Sequence, residues 1–126
     1  MKINENEPPR EFEIGWGQKF TMKDCAHIEL AANEQITLIS DSGAEYDVAR
    51  KNWGYYATPS INGRLNRFGL KTMLVKNCIG HYYIMLVEDG LEEEFDQYVG
   101  AEDLKVCGCL DDATLSEIED KLSSLQ

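Results

Sequence analysis

Apolar and polar residues alternate in short runs through the first half of the chain, the period expected of half-buried strands. The runs are Glu11 to Ile14, His27 to Ala31 with Ile28 and Leu30 on one face, Gln35 to Ser40 with Ile36 and Leu38, and Glu45 to Ala49 with Tyr46 and Val48. Asp41-Ser42-Gly43 between the last two is turn chemistry, so this half reads as a meander. Two continuous apolar runs follow, Leu70 to Lys76 and His81 to Glu88, joined by Asn77-Cys78-Ile79-Gly80. They predict a hairpin buried on both faces, hence central in its sheet. A last strand is expected over Leu104 to Leu110.

The period then lengthens. Leu91, Phe95, Tyr98 and Val99 recur at helical spacing, and so do Leu115, Ile118, Leu122 and Leu125. The spacing predicts amphipathic helices over residues 90 to 100 and Thr114 to Leu125, the second opened by a Thr114-x-x-Glu117 capping box. Between the two strand regions, Thr58-Pro59-Ser60 breaks the pattern and Ile61 to Phe68 reads as a short helix stopped by Gly69, with an Asn62-Gly63 hairpin turn as the alternative. Strands in runs with helices late in the chain define an α+β class, a mostly antiparallel sheet with a short helix and two amphipathic helices toward the C-terminus. Residues 1 to 10, with Pro8 and Pro9, are expected to be a flexible arm, and residues 11 to 126 a single domain.

Charge sharpens this outline. Residues 1–47 hold ten acids against four bases and residues 88–126 thirteen against two, yet Val48 to Val87 holds no acid and six bases, so the segments sum as −6, +6 and −11 to the net −11. Buried strands account for residues 70 to 87. Residues 50 to 67 are rich in polar side chains and lack only negative ones.

The candidate chemistry is sparse. Cys25-x-His27, Cys78-x-x-His81 and Cys107-x-Cys109 pair soft ligands at short spacing. Geometry argues against the last of them, since residues two apart on a strand are separated by roughly 6.6 Å, too far for two sulfurs on one zinc, and strand-borne or buried cysteines are the expected reading of the others. No metal and no cofactor are therefore expected, and the four cysteines are expected to be reduced and mostly buried. No G-x-S-x-G, phosphate-binding glycine loop or nucleophile–base pair can be assembled, so no catalytic residue is assigned. Neither a secretion signal nor an apolar run of membrane-spanning length is visible, which makes a cytoplasmic protein the expectation. A polyanion would meet the whole field of an acidic chain, which argues against nucleic acid.

A small anionic ligand feels the local site instead. Arg64 and Arg67, three apart, could share one face of the short helix; Thr58, Ser60 and Asn62 surround its start; Trp53, Tyr55 and Tyr56 could form flat walls for a sugar or base. An acid placed among these residues would occupy the arginines. The competing explanation is that Arg64 and Arg67 pair with acids from the flanking segments. The stripe on the last helix is expected to pack in the core or to pair with its copy in a homodimer.

Glu45-Tyr46-Asp47-Val48-Ala49-Arg50-Lys51, WGYYATPSINGRL, LKTMLVKN and YYIMLVEDG together resemble small uncharacterised bacterial proteins encoded among surface-saccharide biosynthesis genes, over about residues 35 to 110. The resemblance carries no catalytic residue. It implies a sugar phosphate or nucleotide-sugar as ligand, or a saccharide-pathway enzyme as partner. The expected function is thus a binding or accessory protein without catalysis of its own, with a small saccharide-modifying enzyme using His81 or a carboxylate, and a protein interaction module, as alternatives.

Overall fold

The computed structural model describes residues 1–126 and has the α+β character the patterns imply, with three separate antiparallel sheets in place of one. The chain runs β1 (Lys2–Ile14), β2 (Phe20–Glu29), β3 (Glu34–Ile39), β4 (Glu45–Lys51), β5 (Gly54–Ala57), α1 (Arg64–Arg67), β6 (Leu70–Lys76), β7 (Tyr82–Glu88), α2 (Glu92–Ala101), β8 (Lys105–Cys109) and α3 (Asp112–Ser123). The sheets are β1-β2, β3-β4-β5 and β7-β6-β8. No helix is long and apolar enough to cross a membrane.

The expected N-terminal arm is a strand. Residues 2–10 belong to β1, and Lys2 to Glu5 pair with Glu29 to Ala26. The proline pair that argued for an irregular arm falls between Glu5 and Arg10, where residues 6–9 oppose Cys25 alone in a bulge, so two residues without an N–H cost the ladder nothing. The β1-β2 ribbon makes no ladder with another sheet. Glu102, buried at the end of α2, holds its turn: Oε2 accepts the backbone N–H of Trp16 at 2.6 Å and of Gly17 at 3.2 Å. Phe20 meets Tyr98 beside this clasp, ring centroids 5.9 Å apart.

The hairpin of β6 and β7 pairs from Leu70↔Glu88 to Lys76↔Tyr82, as the two apolar runs require. Only β6 is central, because β8 adds to its far side and leaves β7 as an edge, with Tyr82, Tyr83 and Ile84 exposed. Both turns of the expectation are visible in detail: Asn77 Oδ1 accepts from Ile79 N and His81 N, and Gly69 (φ +81°) ends α1 in the region glycine adopts without strain. The helix itself is one turn, anchored by the fully buried Leu65, which packs with Ala44 and Leu70 against Tyr46, Ile61 and Leu86.

The helices toward the C-terminus form where the period placed them, but neither buries a residue fully, and Ile118, Leu122 and Leu125 are exposed. Asp111, not Thr114, caps α3: its Oδ1 accepts the N–H of Thr114 at 2.9 Å. The thiols also depart from expectation. Cys25, Cys78 and Cys107 are exposed and Cys109 half-buried, because they occupy the strand opposite a bulge, a hairpin turn and an edge strand. Ten of 126 residues are buried in all, so much of the apolar surface that the patterns assigned to a core faces outward.

Candidate functional site

The acid-free segment spans the end of β4, all of β5, α1 and the β6-β7 hairpin as far as Val87. Its polar residues divide into two groups. Thr58, Ser60, Asn62 and Arg64 are tied into the fold. Arg64 Nη2 donates to Thr58 Oγ1 at 2.8 Å and to Asp47 Oδ2 at 3.4 Å, while Thr37 Oγ1 donates to Asp47 Oδ1 at 2.6 Å. Ser60 Oγ accepts the N–H of Arg64, and Asn62 Nδ2 donates to Asp112 Oδ1 at 2.7 Å. The Arg64 guanidinium also lies over the Phe68 ring, 5.5 Å from its centroid. For Arg64 the flanking acid is thus found: Asp47, the residue immediately before the acid-free stretch, is buried and receives it.

The second group meets no acid. Asn52 and Trp53 form the turn between β4 and β5, and the aromatics stand out from it, with Trp53 68%, Tyr55 65% and Tyr56 45% exposed. Trp53 and Tyr56 stack at 6.0 Å with an interplanar angle of 23°. Arg50, opposite Tyr55 in the register, holds its guanidinium 5.6 Å from that ring, and its buried Nη1 has no hydrogen-bond partner. Lys51, opposite Gly54, donates to Asn33 Oδ1 and meets no acid. Arg67 is exposed and its side chain makes no hydrogen bond or ion pair.

Of the six bases in Val48 to Val87, only Arg64 and Lys71 have acid partners, Asp47 for the first and Asp89 and Glu92 for the second. Lys71 is accordingly held above its usual pKa by the Glu92 carboxylate, and Glu92 below its own by Lys71. Arg50, Lys51, Arg67 and Lys76 stand without a carboxylate in a chain of net charge −11. Two of those four cations and three exposed aromatics therefore share one hairpin end of seven residues, Arg50 to Tyr56.

Arg50 and Lys51 were missing from the site read in the sequence because β5 was not recognised as a strand. The turn at Asn52-Trp53, followed by Gly54 at φ +148°, was the available signal, since pairing across it sets Arg50 beside Tyr55. The surface is not a pocket. Concavities of about 300, 340 and 470 Å³ exist elsewhere, and none is lined by any residue from 47 to 69. No three His, Cys, Asp or Glu side chains converge as metal ligands, and His27 and His81 are both exposed. Compared with protein families, curated proteins and solved structures, the chain matches none.

Proposed function

We propose that the protein is a non-catalytic binding protein whose working surface is the end of the β4-β5 hairpin, and that its ligand joins an anionic group to a flat or ring-shaped body, as a sugar phosphate or nucleotide-sugar does. The observation that carries this reading is the grouping of Arg50 and Lys51, neither paired with an acid, with the exposed Trp53, Tyr55 and Tyr56. Exposed aromatic faces receive a sugar ring or base by stacking, and planar guanidinium donors fit phosphate oxygens. The reading moves the grip on the anion from Arg64 to Arg50 and Lys51 and keeps Arg67, which is likewise unpaired. Small size helps such a ligand, which meets the local cations more than the repulsive field of the whole chain.

A thermal screen of sugar phosphates, nucleotide-sugars and simple oxyanions tests it. A ligand at a hundredfold excess over its Kd stabilises the fold by about 2.7 kcal/mol, a shift of several degrees in a domain of this size. The shift should vanish in Arg50→Ala combined with Lys51→Ala and shrink with added salt. A panel without any shift removes the reading. The flatness of the surface favours one other reading, an interaction module without a small ligand. Trp, Tyr and Arg are the residues that dominate protein interfaces, and shallow surfaces serve proteins better than small molecules. That reading predicts no thermal shift and capture of an acidic pathway enzyme that Trp53→Ala abolishes.

A further inference from the structure

The β1-β2 ribbon sorts its residues by face. Paired residues on antiparallel strands share a face, so Ile3↔Ile28, Glu5↔Ala26, Arg10↔Asp24, Phe12↔Met22 and Ile14↔Phe20 line one side, and Lys2↔Glu29, Asn4↔His27, Glu11↔Lys23 and Glu13↔Thr21 the other. The second side is polar throughout. The first is apolar except for Glu5 and the Arg10–Asp24 pair, which neutralises itself at 3.4 Å. At the turn end of this apolar side Phe20 meets Tyr98, and Ile14 lines a concavity with Tyr83, Met85 and Leu104. Ile3, Phe12, Ile14, Met22 and Ile28 remain 40–53% exposed. A two-stranded ribbon is marginal in water unless its apolar face is covered.

We infer that the cover is a second copy of this chain, the two ribbons packing apolar face to apolar face about a two-fold axis. Area supports this occupant. At roughly 200 Å² for a fully exposed large apolar residue, those five residues present roughly 400 Å² per copy. Two copies together supply roughly the 900 Å² of apolar surface found in an interface of standard size. Charge supports it as well. Two chains of −11 repel, but residues 1–29 carry six acids and four bases, a net −2, leaving −9 on the rest. The ribbon is the nearly neutral part of the chain and makes no ladder with another sheet, so copies meeting through it bring together the segment that carries least of the net charge. On that face Arg10 and Asp24 neutralise each other and Glu5 is the one charge without a partner, and a contact of the face with its own copy is isologous, as a two-fold requires.

Sedimentation equilibrium of the full chain tests the proposal. At tens of micromolar the mass should be twice the 14.3 kDa of one chain, with tighter association at high salt as the repulsion is screened. Phe12→Glu and, separately, Ile28→Glu should each raise the dimer dissociation constant at least a hundredfold, because the two-fold places every introduced carboxylate in the apolar contact twice. Thr21→Glu, on the polar side, should leave it unchanged. Hydrogen exchange of the unaltered protein at low and high concentration avoids any folding defect in the variants: protection that rises with concentration must map to residues 2–14 and 20–29. A monomer at 100 μM, a dimer indifferent to Phe12→Glu and Ile28→Glu, or concentration-dependent protection outside the ribbon would each overturn the proposal.

Discussion

Arg64→Ala and Arg67→Ala, one turn apart on the same helix, should behave very differently, and the difference follows from the partner each has. Arg64 meets Asp47, whose side chain is 8% exposed against 40% for its own, at 3.4 Å. Removing one member of a fully buried ion pair costs about 3–5 kcal/mol, whereas an exposed pair is worth at most about 1 kcal/mol. The half-exposed arginine and the long contact place this pair between the limits. The 2.8 Å bond to Thr58 is lost as well, and Asp47 is left with Thr37 alone. A cost of about 1–2 kcal/mol results, or about 4–8 °C in melting temperature for a chain of this length. Arg67, exposed and unbonded, should cost under about 0.5 kcal/mol. Urea denaturation at equal m-value measures both. In a cycle with Asp47→Asn, the coupling to Arg64 should be about 1 kcal/mol. Equal midpoints for the two arginine variants, or strict additivity with Asp47→Asn, would show that Arg64 is not tied into the fold.

Leu65→Ala, at the fully buried anchor of α1, should cost about 2–5 kcal/mol by chemical denaturation, a large part of the stability of a small domain. Glu102→Ala leaves the N–H groups of Trp16 and Gly17 without their acceptor; it should cost about 1–3 kcal/mol and speed hydrogen exchange at those two amides. The pH profile of stability should be a plateau with two edges. Hydrogen bonds from Ser42 and Ser40 hold Glu88 below its ordinary 4.5, and those from Thr114 hold Asp111 below 3.8. Their contribution is complete above those ordinary values and is lost as pH falls below them through the folded-state values. Lys71, raised above 10.5 by Glu92, contributes fully below that value and loses its contribution as pH rises past its folded-state value. Thermal melts from pH 2 to 12 that peak inside the acid range, or that stay flat below pH 4, would contradict these assignments.

Pattern alone reached the elements that carry their own period or punctuation. The strands read at Leu70 to Lys76 and His81 to Glu88 and the helix stop at Gly69 are local facts of the sequence, and they stand in the structure with the second strand opening at Tyr82. What pattern missed depends on pairing between distant residues. Pro8 and Pro9 read as disorder because only the partner strand shows that they lie in a bulge. Tyr55 and Tyr56 follow a glycine and precede a proline-broken loop, so a strand of four residues left too short a period to register. Once β5 is in place the site shifts, because register joins Arg50 to Tyr55 while Asp47, outside the acid-free window, claims Arg64. Leu115, Ile118 and Leu122 fall on α3 and Leu125 beyond its end, but period does not say whether a partner exists to cover a stripe, and Ile118, Leu122 and Leu125 are exposed.

The central claim, that the β4-β5 hairpin end receives an anionic ring-bearing ligand, is tested most directly at Trp53. The chain has two tryptophans, so Trp16→Phe leaves Trp53 as the sole reporter, exposed and stacked on Tyr56. Titration with a series of sugar phosphates should give a saturable change in its emission with at least one member, and Arg50→Ala with Lys51→Ala should abolish that change while leaving the unliganded spectrum in place. Emission that stays constant across the series, or a saturable change indifferent to the loss of both cations, would contradict the account.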